Sequence, residues 1–164
     1  MKTLLVMRHA KSSWKEPGTD DHDRPLNERG KRDAPLMGRL LAEKDLLPDR
    51  VLSSTAKRAR KTAKLVVQAS AFEGPLDLTR DLYLADPPGI ARLLQALPEE
   101  IARPLIVGHN PGMEDLIAVL TGSHETFPTA AVAWLELAVD SWPEVGSWPC
   151  GTLRALWRPK EIEG

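Results

Sequence analysis

Two arginines and two histidines stand where predicted strands end or helices begin. Arg8 and His9 follow the apolar run TLLVM, and His109 follows the run LIVG. Arg58 lies in the first turn of a predicted helix that comes directly after another strand. Because the carboxyl ends of parallel strands meet at one edge of a sheet, we expect these four side chains to lie close together. Arginine forks and helix N-terminal amides suit a doubly charged phosphoryl group, and a neutral imidazole can attack phosphorus, so the pattern indicates phosphoryl chemistry.

Alternating strands and helices are expected to position these residues. Short apolar runs predict strands at 3–7, 50–53, 76–78, 105–107, 131–139 and 152–157. Apolar residues at helical spacing predict helices at 27–44, 56–71, 87–97 and 112–120. This alternation predicts an α/β protein with a mostly parallel central sheet, whose last two strands form an antiparallel edge.

Local sequence signals predict where the first two helices begin. Asn27 is the expected N-cap of the first helix, in which Pro35 should either kink the helix or mark its effective start. Ser54 or Thr55 is the expected cap of the second helix. The polar stretch 8–24 is predicted to be a long loop of the kind that carries function.

Composition narrows the class of protein. The 164 residues include 22 Lys and Arg against 23 Asp and Glu, a formal net charge of −1 that argues against a general binder of nucleic acid or anionic membranes. The chain has no secretory leader pattern and no apolar run of about 18 residues, so we expect neither export nor membrane insertion. The only cysteine, Cys150, cannot form an intrachain disulfide, which favours a cytoplasmic location.

Four segments carry ordered motifs around these candidate residues. They are MRHAKSSW at 7–14, RPLNERG at 24–30, STAKRARKTA at 54–63 and VGHNPGM at 107–113. In this order they resemble the motifs of the histidine phosphatase superfamily, whose fold is called phosphoglycerate-mutase-like. The segment FPTAAVAWLEL at 127–137, with the short chain and the lack of an insert domain, is similar to the SixA-type phosphohistidine phosphatase branch. The resemblance implies a three-layer α/β/α sandwich made by one histidine phosphatase domain over residues 1–164.

The resemblance also implies a role for each matching residue. His9 would be the nucleophile that becomes transiently phosphorylated, while Arg8, Arg58 and His109 would hold the phosphoryl oxygens. Asn110 would add a backbone donor near the start of the next helix. We expect no metal and no other cofactor, because His-x-x-x-His spacing is absent and Arg8 would lie against a cation.

Three of the residues that depart from the family pattern bear on the choice of substrate. Lys11 and Lys15 border the expected mouth of the pocket and suggest that it binds an anionic substrate or an acidic surface. Leu84 stands where many members carry the glutamate that acts as general acid. Asp81 and Asp86, nearby in sequence, are the possible replacements.

Other charged residues have a plainer interpretation. His22 and His124 are predicted to be solvated loop residues. One face of the second helix carries Lys57, Arg60, Lys61 and Lys64. We interpret this face as solvated, with docking of an acidic partner as the alternative.

These observations favour a metal-independent phosphatase that acts through phospho-His9 on protein phosphohistidine, for example in a histidine phosphotransfer domain. Imidazole, whose conjugate acid has a pKa of about 6.5, departs with little help, whereas the alkoxide of a sugar or serine phosphate needs a positioned acid. One alternative is a phosphomonoesterase or mutase acting on a small phosphorylated substrate. The other is a phosphate- or phosphopeptide-binding module without turnover.

Overall fold

A six-stranded sheet forms the centre of the computed structural model, which describes residues 1–162. Its strands are β1 (Lys2–Arg8), β2 (Arg50–Ser54), β3 (Leu76–Thr79), β4 (Pro104–Gly108), β5 (Val132–Leu137) and β6 (Gly151–Trp157). They lie in the order β3-β2-β4-β1-β5-β6, with the first four parallel. β5 runs antiparallel to β1, and β6 runs antiparallel to β5. The predicted sheet with an antiparallel edge is confirmed; the predicted domain boundary at residue 164 lies outside the described residues.

Helices cover both faces of this sheet. In residues 1–162 they are α1 (Glu28–Glu43), α2 (Lys57–Ser70), α3 (Pro87–Gln95), α4 (Gly112–Thr121) and the short α5 (Pro159–Ile162). Single 3₁₀ turns lie at Asp21–Asp23, Arg80–Leu82 and Trp142–Glu144. No helix in the described part of the chain is long and apolar enough to cross a membrane.

Side-chain alternation along β1 builds a core on each face. Leu5 and Met7 pack in the cluster that holds α1 and α2, whereas Leu4 and Val6 pack in the cluster that holds α3 and α4. All four side chains are completely buried, and each contributes about 2 kcal/mol of burial free energy. The predicted three-layer sandwich is confirmed, and a strand buried on both faces holds the residues that follow it.

Pro35 lies inside α1 and does not mark its start. The helix begins at Glu28, directly after the N-cap Asn27, whose side chain accepts a hydrogen bond from the Gly30 amide at 2.9 Å. The alternative in which Pro35 starts the helix is therefore wrong. The cap and the buried face that includes Met37 hold the helix although the proline removes one backbone donor.

The expected caps of α2 serve other contacts. Ala56 occupies the N-cap position and makes no side-chain cap hydrogen bond, so the prediction of Ser54 or Thr55 as N-cap is wrong. The Ser54 hydroxyl contacts His109, and the Thr55 hydroxyl contacts His22. Both hydroxyls are thus used to position histidines.

Candidate active site

The four residues that follow strands or begin α2 meet at the carboxyl edge of the sheet. Arg8 pairs with Gly108 across the parallel strands β1 and β4, so His9 and His109 emerge side by side. Their ring centroids lie 5.1 Å apart. Arg58, from the first turn of α2, brings its Nε to 3.4 Å from His9 Nε2. All four side chains line one pocket, as their positions in the sequence predicted.

The backbone around His9 is tied to both neighbouring elements. The His9 amide donates to the Gly108 carbonyl at 3.0 Å, and the Ala10 amide donates to Thr62 Oγ1 at 3.0 Å. The Thr62 hydroxyl in turn donates to the Arg58 carbonyl at 2.7 Å. These bonds fix the position of His9 relative to β4 and α2.

Two glycines let neighbouring segments approach this site closely. A Cβ on Gly30 in α1 would lie 2.2 Å from the Lys11 carbonyl oxygen, and one on Gly112 would lie 2.1 Å from the Ala85 carbonyl oxygen. Both obstacles are backbone atoms, which cannot swing away as a side chain can. Glycine at these two positions therefore sets where the loops around the pocket run.

The hydrogen bonds of His9 fix its tautomer. Its Nδ1 lies 2.7 Å from the Ala10 carbonyl oxygen, which can only accept, so Nδ1 carries the proton. Arg58 Nε–H points toward Nε2 at 3.4 Å, an arrangement that requires an unprotonated Nε2. The ring therefore offers the Nε2 lone pair beside Arg58, as a nucleophile must.

Burial keeps the His9 ring neutral. His9 is 6% exposed, and burial is the largest of the effects that lower its pKa to about 3. The bond to Ala10 opposes the shift, while His109, Arg58 and Arg8 add to it. The neutral imidazole that attack on phosphorus requires agrees with this pKa, and burial contributes more to it than Arg58 or Arg8 does.

His109 is held through one ring nitrogen. Its Nε2 lies 2.8 Å from Ser54 Oγ, which itself accepts the Ala56 amide at 3.1 Å and so has its O–H free to donate to Nε2. Burial and then Arg58 lower the pKa of His109 to about 4, whereas Asp21 acts to raise it. With the Ser54 hydroxyl as donor to Nε2, the proton of this neutral ring lies on Nδ1.

Two of the three buried side-chain nitrogens that lack a partner in the described residues belong to this pocket. They are His109 Nδ1 and Arg8 Nε, and both belong to side chains that line the pocket. Leaving a buried donor unsatisfied costs about 1–3 kcal/mol. A ligand with several oxygens would satisfy both, so these atoms indicate an anion-binding site.

Asp21, a residue that sequence reasoning passed over, pairs with the Arg58 guanidinium. Arg58 Nη1 donates to the Asp21 carbonyl at 2.6 Å and Nη2 donates to Oδ2 at 2.9 Å. The Tyr83 hydroxyl donates to the same Oδ2 at 2.6 Å, and Arg24 Nε lies 3.2 Å from Oδ1. Partial burial acts to raise the pKa of Asp21, but the bonds from Tyr83 and Arg58 outweigh it and lower this pKa to about 2. Asp21 is therefore ionised at neutral pH and holds the guanidinium plane.

His22 belongs to the rim of this site. Its Nε2 lies 2.8 Å from Thr55 Oγ1, and its ring packs edge-on against Tyr83 at 4.9 Å between centroids. The Tyr83 ring also packs against His109, at 5.4 Å. The interpretation of His22 as a solvated loop residue is wrong, because the loop folds back onto these side chains; His124 is exposed, as expected.

The two aspartates considered as acids lie away from the pocket. Asp86 is the N-cap of α3 and accepts the Gly89 amide at 3.0 Å, while Asp81 lines a separate groove beside Arg92. Leu84 lines the pocket itself, 60% exposed and with a φ of 53°. Among the described pocket residues the one carboxylate is Asp21.

The predicted binding residues divide between two surfaces. Lys11 and Asn110 line the pocket, whereas Lys15 lines an adjacent groove. The Asn110 side chain donates to the Phe127 carbonyl at 2.8 Å and accepts the Glu114 amide at 3.2 Å, which joins α4 to the following loop. No group of three or more His, Cys, Asp or Glu residues within 1–162 is arranged to hold a metal ion.

Comparison with known proteins identifies the family. Residues 4–83 match the family model of the histidine phosphatase superfamily, branch 1. An uncharacterized protein of Mycobacterium leprae is 38% identical over 145 residues, which are 80% of this chain and 88% of that protein. The chain belongs to the histidine phosphatase superfamily.

Solved structures in this superfamily share the whole fold. A protein from Agrobacterium tumefaciens assigned as the phosphohistidine phosphatase SixA has a TM-score of 0.83 at 29% identity, covering 96% of this chain and 98% of its own. The protein histidine phosphatase SixA in complex with tungstate has a TM-score of 0.84 at 25% identity, covering 98% and 99%. The phosphoglycerate-mutase-like fold and the enzyme class of a phosphatase, both predicted above, are confirmed.

The depressed pKa values of His9 and His109 predict that the fold loses stability in mild acid. Both rings stay neutral in the folded chain down to about pH 4, whereas the unfolded chain protonates them below about pH 6.5. The unfolded state then binds more protons, so stability is fully present above pH 6.5 and falls as the pH is lowered. By pH 5 each histidine should have cost on the order of 2 kcal/mol. Urea unfolding at several pH values measures this slope.

Single substitutions separate the contribution of each ring. His109→Gln should remove about half of the pH dependence between pH 7 and pH 5, because one of two neutral buried rings is lost. His124→Gln, at an exposed position, is the matched control and should keep the wild-type slope. Equal slopes for wild type and His109→Gln would contradict burial of a neutral His109.

Proposed function

We propose that this enzyme removes phosphate from phosphohistidine in proteins through a phospho-His9 intermediate. The observation that carries the proposal is a pocket in which a neutral His9 Nε2 lies beside Arg58 while Asp21, the one carboxylate among the described lining residues, is ionised. The pocket thus has a nucleophile and cationic groups for the phosphoryl oxygens, but its lining within residues 1–162 includes no neutral carboxylic acid. Structural similarity to proteins assigned as phosphohistidine phosphatases supports the same substrate class.

In the first step His9 Nε2 attacks phosphorus. A new P–N bond forms to Nε2, and the bond between phosphorus and the substrate nitrogen breaks. The substrate ring, protonated beforehand on its other nitrogen, takes the electron pair and leaves as neutral imidazole. Arg8, Arg58 and His109 hold the phosphoryl oxygens, and His109 Nδ1–H and Arg8 Nε–H are donors available for this purpose.

In the second step water attacks phospho-His9. The phosphorylated ring keeps its proton on Nδ1, which donates a hydrogen bond to the Ala10 carbonyl. The ring therefore carries a positive charge and is a good leaving group. Attack of water forms the new P–O bond, and the electron pair of the P–N bond returns to Nε2. Inorganic phosphate leaves and one proton passes to solvent.

The substrate class follows from the acid that the pocket lacks. A sugar or serine phosphate expels an alkoxide, which must be protonated as the bond breaks. Leu84 has no proton to give and Asp21 is already ionised. A mutase or phosphomonoesterase would therefore work poorly here, and a mere binding module would not require the fixed tautomer of His9.

Charge and composition support proposals about the metal requirement, the partner and the location of the enzyme. We propose that no metal is needed, because the arginines already neutralise the phosphoryl oxygens. The partner is then a phosphorylated protein, for which a histidine phosphotransfer domain has the right chemistry. The cytoplasmic location stays a prediction from the single Cys150.

The test compares substrates and then adds the acid. At equal pH and salt, kcat/KM for a phosphohistidine protein should exceed that for phosphoserine peptides and sugar phosphates by about 100-fold or more, the usual worth of a general acid. Leu84→Glu should raise phosphomonoester hydrolysis by at least about tenfold while changing phosphohistidine hydrolysis little. Leu84→Gln, of similar size and without a proton to transfer, is the matched control.

Faster turnover of a sugar phosphate by the wild-type enzyme would contradict the proposal. In that event Asp86→Asn and Asp81→Asn would identify a hidden acid, since either aspartate would have to move into the pocket to act. An equal rise in phosphomonoester hydrolysis for Leu84→Glu and Leu84→Gln would also count against the leaving-group argument, because the gain would then reflect polarity alone.

A further inference from the structure

A basic groove adjoins the active-site pocket along α2. Its lining residues are Pro25, Leu26, Lys31, Lys57, Arg60, Lys61 and Lys64, and we call it the α2 groove. Arg24 and Arg58 line the pocket, and their chain neighbours Pro25 and Lys57 line the groove. The two surfaces therefore meet at the first turn of α2.

The positive charge of the α2 groove is almost unpaired. Lys31 lies 3.5 Å from Glu28. Among the ion pairs of the described residues, none involves the four basic side chains that α2 contributes. Lys57, Lys61 and Lys64 are exposed and recur at helical spacing, so they share one face. A chain of net charge −1 thus concentrates positive charge at one place.

This placement works against the stability of α2. The first turn holds Lys57 and Arg58 and no acidic residue, and the last turn holds no basic residue. Cations near the N-terminus oppose the helix dipole, and the like charges at 57 and 61 and at 60 and 64 repel each other. The pocket explains Arg58 alone. Uncharged polar residues would keep the rest of this face soluble without destabilising the helix. The positive charge of the face therefore indicates a role outside the helix.

A second groove shows how such charge is balanced elsewhere. The groove beside α5 also carries basic residues, including Arg29 and Arg158. There Arg29 lies 3.4 Å from Asp33, and Arg158 lies 3.2 Å from Glu161. Carboxylates of the chain itself thus pair with Arg29 and Arg158, whereas the four basic side chains that α2 contributes to its groove have no such partner among the described residues.

We propose that the α2 groove docks the acidic surface of the protein that carries the phosphohistidine. The inference rests on the proposed function, because the partner must present its phosphorylated ring to His9. Arg58 lies in the pocket and Lys57 in the groove, on adjacent residues of one helical turn, so acidic side chains around the phosphohistidine would reach the lysines. Rim charges of this kind act mainly on encounter and specificity, so docking should affect KM and not the chemical step.

Charge reversal with two substrates tests the docking surface. Lys57→Glu combined with Lys61→Glu should lower kcat/KM for the phosphohistidine protein by about tenfold or more at low salt, through KM, and should flatten its dependence on salt. Hydrolysis of phosphoramidate, a small substrate that cannot reach the groove from the pocket, should stay within about twofold of wild type. Arg39→Glu combined with Lys44→Glu makes the same change in net charge at exposed positions outside the groove and is the matched control.

Each possible outcome bears on the docking surface separately from the chemistry. Unchanged kinetics of the charge-reversed variant with the protein substrate would overturn the docking surface while leaving the proposed function in place. The same conclusion would follow if the charge-reversed variant and the milder Lys57→Gln/Lys61→Gln variant both lost equal activity with the two substrates. A wild-type enzyme that hydrolyses phosphoramidate but no phosphohistidine protein would overturn both. If the wild type binds single-stranded RNA, the charge-reversed variant does not, and protein kinetics stay unchanged, the groove is a nucleic-acid site instead.

Discussion

The His9→Ala variant is expected to lose turnover almost completely, with kcat lower by about 10⁴-fold or more. The neutral Nε2 beside Arg58 is the atom that would carry the phosphoryl group, and alanine leaves no atom to do so. Direct attack by water would lack a good base, because Asp21 has a pKa of about 2. Steady-state release of phosphate from phosphoramidate measures the loss.

Binding should survive this substitution although turnover does not. Arg8, Arg58 and His109 remain, so His9→Ala should still bind inorganic phosphate in calorimetry. His124→Ala, at an exposed position, serves as control and should keep both kcat and phosphate affinity. A His9→Ala enzyme with kcat within about tenfold of wild type would show that His9 is not the nucleophile.

Arg58→Lys is expected to lower kcat by about 100-fold. Arg58 is 3% exposed and uses its nitrogens in two directions, with Nε toward His9 and the two Nη atoms toward Asp21. A planar fork can keep the Asp21 contact and still face the phosphoryl oxygens, whereas a lysine ammonium is a single point charge. Circular dichroism would establish that the variant is folded, and phosphoramidate kinetics would give the loss.

Arg60→Lys gives the matched comparison for this prediction. Arg60 lies on the same helix and lines the α2 groove, not the pocket. Phosphoramidate hydrolysis by Arg60→Lys should therefore equal that of the wild type. Similar kcat values for Arg58→Lys and wild type would contradict the role of Arg58 in holding phosphoryl oxygens.

The meeting of the two histidines was predictable because it depends on general rules of sheet topology. Apolar runs identified β1 and β4, and parallel strands release the chain at the same edge. His9 and His109 each follow one of these strands, which pair directly. The position of Arg58 was predictable for the same reason, because α2 begins just after β2, which pairs with β4 on the side away from β1.

The contacts of the loop between β1 and α1 were not predictable in the same way. Asp21 lies 37 residues from Arg58 and 62 residues from Tyr83 in sequence. The loop has no apolar periodicity that would indicate its path, so its charged residues looked solvated. Only the folded chain shows that Asp21 and His22 turn back toward α2 and Tyr83.

The role of Asp86 was predictable from the residues that follow it. Asp86 precedes Pro87 and Pro88, and an aspartate directly before proline at the start of a helix is a typical N-cap. That role holds Asp86 at the start of α3. Leu84 lies two residues earlier in a left-handed conformation that the sequence did not indicate, and it reaches the pocket instead.

Trapping the phosphoenzyme tests the central claim most directly. Enzyme mixed with ³²P-labelled phosphohistidine protein and quenched in alkali within the first turnover should carry label that is lost in acid. Mass spectrometry of the digested chain should place it on His9, and the label should form and decay fast enough to account for turnover. Normal turnover with no labelled enzyme, or with the label on another residue, would contradict the account.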